Sequence, residues 1–185
     1  VSALVVGNET QVSWTGHPVP AEQLASALRE LRDRTSLPVT TADDYNFWNK
    51  PESRALAQEC DFLMVHAHPL WNGRQVEDAL GWTRATLDSV QRLHPDRRLV
   101  LGETGWATSR TDHGDEAKYM KAPAAEGPQA AFLDSVTAWV AHSPWPVVFF
   151  EAFDENWKGG DDPNEAEKHW GLWRADRTAK PALLR

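Results

Sequence analysis

The chain has 185 residues, 41% of them hydrophobic and 25% charged, a globular composition with enough apolar material for one substantial core in one domain. Its formal charge is −8 and no cluster of Lys and Arg stands out, which argues against a nucleic-acid partner and favours a neutral or cationic ligand. No apolar run approaches the roughly 20 residues of a membrane span, and the single cysteine, Cys60, permits no intrachain disulfide. No export signal is visible before Val1, but Val1 already stands in a strand-like run, so any targeting segment would lie upstream.

Residues 1–8 are apolar enough for a buried strand, and Glu9 follows it. Residues 21–34 place Leu24, Ala27, Leu28 and Leu31 at helical spacing with charges on the other face, which predicts an amphipathic helix. Residues 37–41 read as a short strand, and residues 51–59 as a brief helix opened by Pro51. A third strand is predicted over 61–66, a long helix over 75–93 and a fourth strand over 97–102, directly before Glu103. Another helix is expected at 128–142. The almost wholly apolar segment 146–151 then reads as a fifth strand covered on both faces.

Strict β-α alternation means a parallel sheet joined by crossovers, either doubly wound or closed into a barrel. No Gly-rich phosphate loop follows the first strand, and polar and aromatic residues gather after every strand end, which favours the barrel. A full eight-stranded barrel takes about 250 residues, and at roughly 30 residues per unit this chain supplies five strands. The expected fold is therefore a partial (β/α)8 barrel, strands four to eight, with the first three units absent. Its outer strands would be exposed edges, so pairing with another copy or with a complementary N-terminal half is expected.

Glu9 and Glu103, each at the C-terminal end of a strand, are the two carboxylates that cleavage of a glycosidic bond requires. Retention of configuration needs the pair about 5–5.5 Å apart. Asn8 is placed to hold a sugar hydroxyl, and Trp106, after the sharp exit at Gly105, to flank a sugar ring. His66 and His68 alternate in period two at the end of the third strand, followed by Trp71. They read as polar cleft wall or core histidine, since the local sequence lacks the third ligand of a metal site. Glu151, Glu155 and Lys158 form a dense ionic set after the fifth strand, and Tyr45 follows the second. Asp112, His113 and Asp115 read as a solvated loop. Ten tryptophans exceed ordinary core use, and indole rings suit sugar faces.

Taken in order, Val6-Gly7-Asn8-Glu9, His66-Ala67-His68-Pro69-Leu70-Trp71, Gly102-Glu103-Thr104-Gly105-Trp106, the segment from Phe150 to Lys158, and Glu167-Lys168-His169-Trp170-Gly171-Leu172 resemble family 17 of the glycoside hydrolases. The resemblance spans nearly the whole chain. It implies a retaining β-1,3-glucanase or glucanosyltransferase, a β-glucan substrate, no cofactor and no metal, and extracellular or periplasmic residence. By that likeness Glu9 matches the acid/base, Glu103 the nucleophile, and Glu155 and Lys158 accessory cleft residues. His68 stands where the family more often carries a tyrosine beside the nucleophile, so either its imidazole takes over that hydrogen bond or the nucleophile is tuned differently. A carbohydrate-binding protein without turnover and a metal-dependent hydrolase built on His66 and His68 are the alternatives.

Overall fold

The computed structural model describes residues 1–184. Its elements run β1 (Leu4–Asn8), α1 (Ala21–Arg32), β2 (Val39–Asp44), α2 (Tyr45–Trp48), α3 (Ser53–Gln58), β3 (Leu63–His66), α4 (Val76–Leu93), β4 (Leu99–Thr104), α5 (Gly114–Tyr119), α6 (Glu126–Val140) and β5 (Val147–Phe149). Short 3-10 turns follow at Ala166–Lys168 and Pro181–Leu183. The five strands form one parallel sheet in the order β1-β2-β3-β4-β5, the arrangement of successive units of a β/α barrel. No helix of the described residues is long and apolar enough to cross a membrane.

The strands shift relative to their sequence reading. β2 runs on to Asp44 because Ala42, Asp43 and Asp44 pair with Met64, Val65 and His66; the two acids, which read as loop, continue a ladder. All six residues of β2 are buried, as a central strand requires. β4 likewise continues to Thr104, so that Glu103 lies inside the strand rather than after it. The fifth strand is shorter than expected, and the reading that both its faces are covered fails: Val148 is 51% exposed. Val5 in β1 is 48% exposed. Both belong to the edge strands of the sheet, where no neighbour covers them. Two helices were not anticipated. α2 is capped by Asp44, whose Oδ1 accepts the Asn46 backbone N–H at 2.8 Å, and α5 occupies a stretch that reads as solvated loop.

The described chain divides into two compact units, one of Val1–Ala67, Ala85–Gly102 and Trp145–Val147, the other of His68–Arg84, Glu103–Pro144 and 148–184. In the first, α1 buries Leu24, Ala25 and Leu28, and carries Glu22 in its first turn and Arg29 and Arg32 in its last, in keeping with its dipole. The Trp48 indole N–H donates to the Met64 carbonyl at 3.0 Å, and buried His94 contacts the Ser53 hydroxyl and the Trp48 carbonyl. Burial pushes the His94 imidazole below its usual range, towards the neutral form. Gly102 is required here, because a Cβ in its place would meet the Met64 side chain.

In the second unit Trp106 packs on Phe132 with ring centroids 5.7 Å apart, and Gln129 donates its side-chain amide to the carbonyls of Trp106 and Gly171. Lys180 and Asp154 form a buried ion pair at 2.7 Å. Gly105 gives the sharp exit from β4, since a side chain there would collide with the Phe150 carbonyl.

Candidate active site

In the first unit the site is built on the end of β1. Register runs Val5↔Thr40 and then Asn8↔Ala42, so β1 spends one more residue than its partner and bulges. Two residues take left-handed backbone: Gly7 at φ 78° without steric cost, and Glu9 at φ 49° at a cost of roughly 1–2 kcal/mol. The Glu9 N–H donates to the Ala42 carbonyl at 2.9 Å, which keeps the turn against β2. At the end of β3, His66 brings Nδ1 to 3.1 Å from Glu9 Oε1.

His66 is only 1% exposed, so its expected place in a ligand-facing wall is corrected: it holds a carboxylate and has no surface for a sugar. Asn8 is exposed, with its carbonyl 3.0 Å from His17 Nε2, and Tyr45 opens α2 half-buried at the end of β2. Asp43, fully buried beside Glu9, carries no mark in the sequence as a site residue. Only the pairing that extends β2 brings it there.

In the second unit Glu103 points from β4, and His68 Nε2 lies 3.4 Å from its Oε2. The imidazole thus occupies the place beside the carboxylate that the family resemblance assigns to a tyrosine. Its ring is set edge-on against Trp170 at 5.1 Å and Phe150 at 5.6 Å. Trp71 is half-buried after His68.

Lys158 bridges Glu151 and Glu155, at 2.7 Å from each. Burial raises the Glu151 carboxyl above its usual range, against the pull of Lys158. Burial opposes the Lys158 charge, but the two carboxylates outweigh it and raise the ammonium above its ordinary value. Half-buried Glu167 joins this group: burial raises its carboxyl, while His68, Lys158 and the Trp170 indole favour the ionised form. Glu167 is a second residue missed as a site residue. The signal was the Glu167–Leu172 motif, whose tryptophan does reach His68.

Trp106 is a correction. It is 0% exposed, with its indole N–H donating to the Pro123 carbonyl at 3.0 Å and its ring against Phe132. It is core, because a ring that follows Gly105 into the interior finds α6 rather than solvent. The exposed indole of this region is Trp157, 76% accessible and next to Lys158. Asp112 and His113, 3.4 Å apart, are both exposed ahead of α5.

A family model for the BtgE/BtgC glycoside hydrolase domain matches residues 1–171. A glucan 1,3-beta-glucosidase of Schizosaccharomyces pombe is 29% identical over 97% of this chain and 56% of its own length. Another, of Arthroderma benhamiae, is 30% identical over 97% of the chain and 60% of its own length. Among solved structures, the glycoside hydrolase family 17 β-1,3-glucanosyltransferase of Rhizomucor miehei superposes with a TM-score of 0.79 at 27% identity, covering 98% of this chain and 63% of that one. An endo-laminarinase of Formosa Hel1_33_131 superposes with a TM-score of 0.80 at 25% identity, over 97% and 56%. The chain spans little more than half the length of these relatives.

Proposed function

The chain belongs to the BtgE/BtgC glycoside hydrolase family, and from that membership we propose that it is the C-terminal, carboxylate-bearing part of a β/α-barrel enzyme that cleaves or transfers β-1,3-glucan with retention. The observation that carries this reading is the pair of glutamates at the C-terminal ends of β1 and β4, strands of one parallel sheet. Each has an imidazole against its carboxylate, His66 at 3.1 Å and His68 at 3.4 Å.

Glu103 attacks the anomeric carbon as Glu9 gives its proton to the departing glycosidic oxygen, leaving a glucosyl ester on Glu103. Glu9, now a carboxylate, takes the proton of water or of an acceptor hydroxyl. That oxygen then displaces Glu103, so two inversions return the β configuration. His68 donates to the Glu103 carboxylate and fixes its direction of attack. Lys158, neutralising Glu151 and Glu155, keeps this acidic corner from repelling the ionised nucleophile. The exposed Trp157 indole supplies a flat face for a sugar ring.

Incubation of the complete protein with laminarin, followed by proton NMR of the first-formed products, tests the reading. Newly released reducing ends or transfer products should appear with the β anomer first and should be indifferent to chelator. Binding without any release would leave only a carbohydrate-binding protein, and initial α products would overturn retention.

The edge strands β1 and β5, with Val5 and Val148 uncovered, lead us to propose that residues 1–185 made alone self-associate through these edges. Light scattering is expected to find dimers or larger species at micromolar concentration. A stable monomer that binds no hydrophobic dye would overturn this.

A further inference from the structure

We propose that Asp43 is a positioning residue for Glu9: its buried carboxylate fastens the backbone turn that aims the Glu9 carboxyl. The inference rests on the acid/base role proposed for Glu9. Asp43 lies at the end of β2, is 0% exposed, and pairs with Val65 of β3. One oxygen, Oδ2, accepts the Gln11 N–H at 2.9 Å, and the other, Oδ1, accepts the Asp44 N–H at 2.9 Å. A single side chain therefore ties the segment after β1 to the end of β2.

What it ties is the strained part of that segment. Glu9 holds a left-handed φ of 49° that its side chain disfavours. Such backbone persists only where its surroundings over-determine it. Two clamps do so, on either side of the strained residue: the Ala42 carbonyl on the Glu9 N–H and the Asp43 carboxylate on the Gln11 N–H. His66 meets the other end of Glu9 at its carboxylate. Released at Gln11, the turn can relax towards ordinary φ, which swings the Glu9 side chain off its line.

A buried acid is a costly way to hold two amides, and burial does raise the Asp43 carboxyl above the usual carboxylate range, with the two backbone N–H groups opposing. Glu9 adds to the rise and His66 opposes it. An uncharged acceptor would serve a purely structural turn at lower cost. The carboxylate oxygens accept from both amides at once, whereas the amide of an asparagine would offer one of them a donor.

The test compares two substrates in the complete protein. Laminarin has a sugar leaving group that needs protonation, whereas a 2,4-dinitrophenyl β-laminaribioside leaves unaided. Asp43→Asn should lower kcat/KM on laminarin by about 10–100-fold, the size of a modest misplacement of a catalytic group. On the activated glycoside kcat/KM should fall less than about three-fold, because no acid is needed there. Asp43→Ser, which carries no competing amide, should show the same contrast. Equal losses on both substrates, no loss on either, or absence of a cooperative thermal transition in both variants would make Asp43 a folding residue and overturn the proposal. Glu9→Gln is the control. If it lacks the leaving-group contrast, the acid/base reading of Glu9 fails, and that result is distinct from a failure at Asp43.

Discussion

Glu103→Gln in the complete protein is expected to lower turnover of laminarin by roughly 10⁴-fold or more, the scale seen when one member of a catalytic unit is removed. The amide is close to isosteric, so the half-buried site and its contact with His68 should survive and the thermal midpoint should move little. What disappears is the proposed nucleophile, because a neutral amide oxygen cannot form the glucosyl ester on which the proposed double displacement depends. Smaller replacements separate the two roles more sharply. With Glu103→Gly, an activated β-glucoside and azide, the small anion should enter the vacated space and displace the aglycone once, giving the α-glucosyl azide. With Glu9→Ala the glucosyl–enzyme still forms from an activated donor, and azide, which needs no base, should intercept it as the β-glucosyl azide. Polarimetry or NMR of the azide products reads the assignment directly. Azides of the opposite configurations would exchange the two roles, and full activity of Glu103→Gln would remove it from the chemistry.

Lys180→Met should cost about 3–5 kcal/mol of unfolding free energy, because it strips a buried charge of its partner. Lys180 is 1% exposed. Its ammonium donates to Asp154 at 2.7 Å, to the Thr108 hydroxyl at 2.8 Å and to the His169 carbonyl at 3.3 Å. Asp154 in turn accepts the Gly171 N–H at 3.0 Å, so this pair joins the segments that follow β4 and β5 to the C-terminal turn. With methionine at 180 the aspartate stands buried without its cation. Lys180→Met combined with Asp154→Leu removes both charges and should recover most of the loss, since apolar pairs of similar volume replace buried ion pairs at little cost.

The alkaline side has its own sign. Burial holds the Lys180 ammonium below the ordinary lysine range, with Asp154 opposing. The unfolded chain therefore binds more protons than the native one between the native and unfolded values, and the contribution of this group to stability rises with pH across that window. The methionine variant should lack that rise. Urea denaturation across the pH range measures all three effects. Equal stability of the single variant and the parent would show that the pair is not buried in solution.

Both carboxylates of the proposed reaction were legible because each closes an apolar run, and their joint occurrence at two strand ends fits the paired acids that glycosidic cleavage needs. The order of strands and helices was legible for the same kind of reason, since periodicity is a local property. Element ends were not. β2 continues through Asp43 and Asp44 because β3 offers it partners, and no local preference favours two acids in a buried strand. Glu167 stood in a legible motif, but its place beside His68, Lys158 and Trp170 is set by tertiary contacts far along the chain.

By itself, the amino-acid sequence determined the alternation of five strands with helices, the family, and the identity of Glu9, Glu103, His68, Glu155 and Lys158 as residues to watch. The alternation and the two glutamates are carried by short apolar runs and what stands at their ends, the family by the resemblance of five ordered motifs. Tertiary structure alone decided that Trp106 is core while Trp157 is exposed, that His66 serves Glu9 rather than a ligand, and that Asp43 clasps the turn after β1. The physical reason is that burial and hydrogen-bond partners depend on which segments meet, and residues 9, 43 and 66 come together only when the strands that carry them are laid side by side.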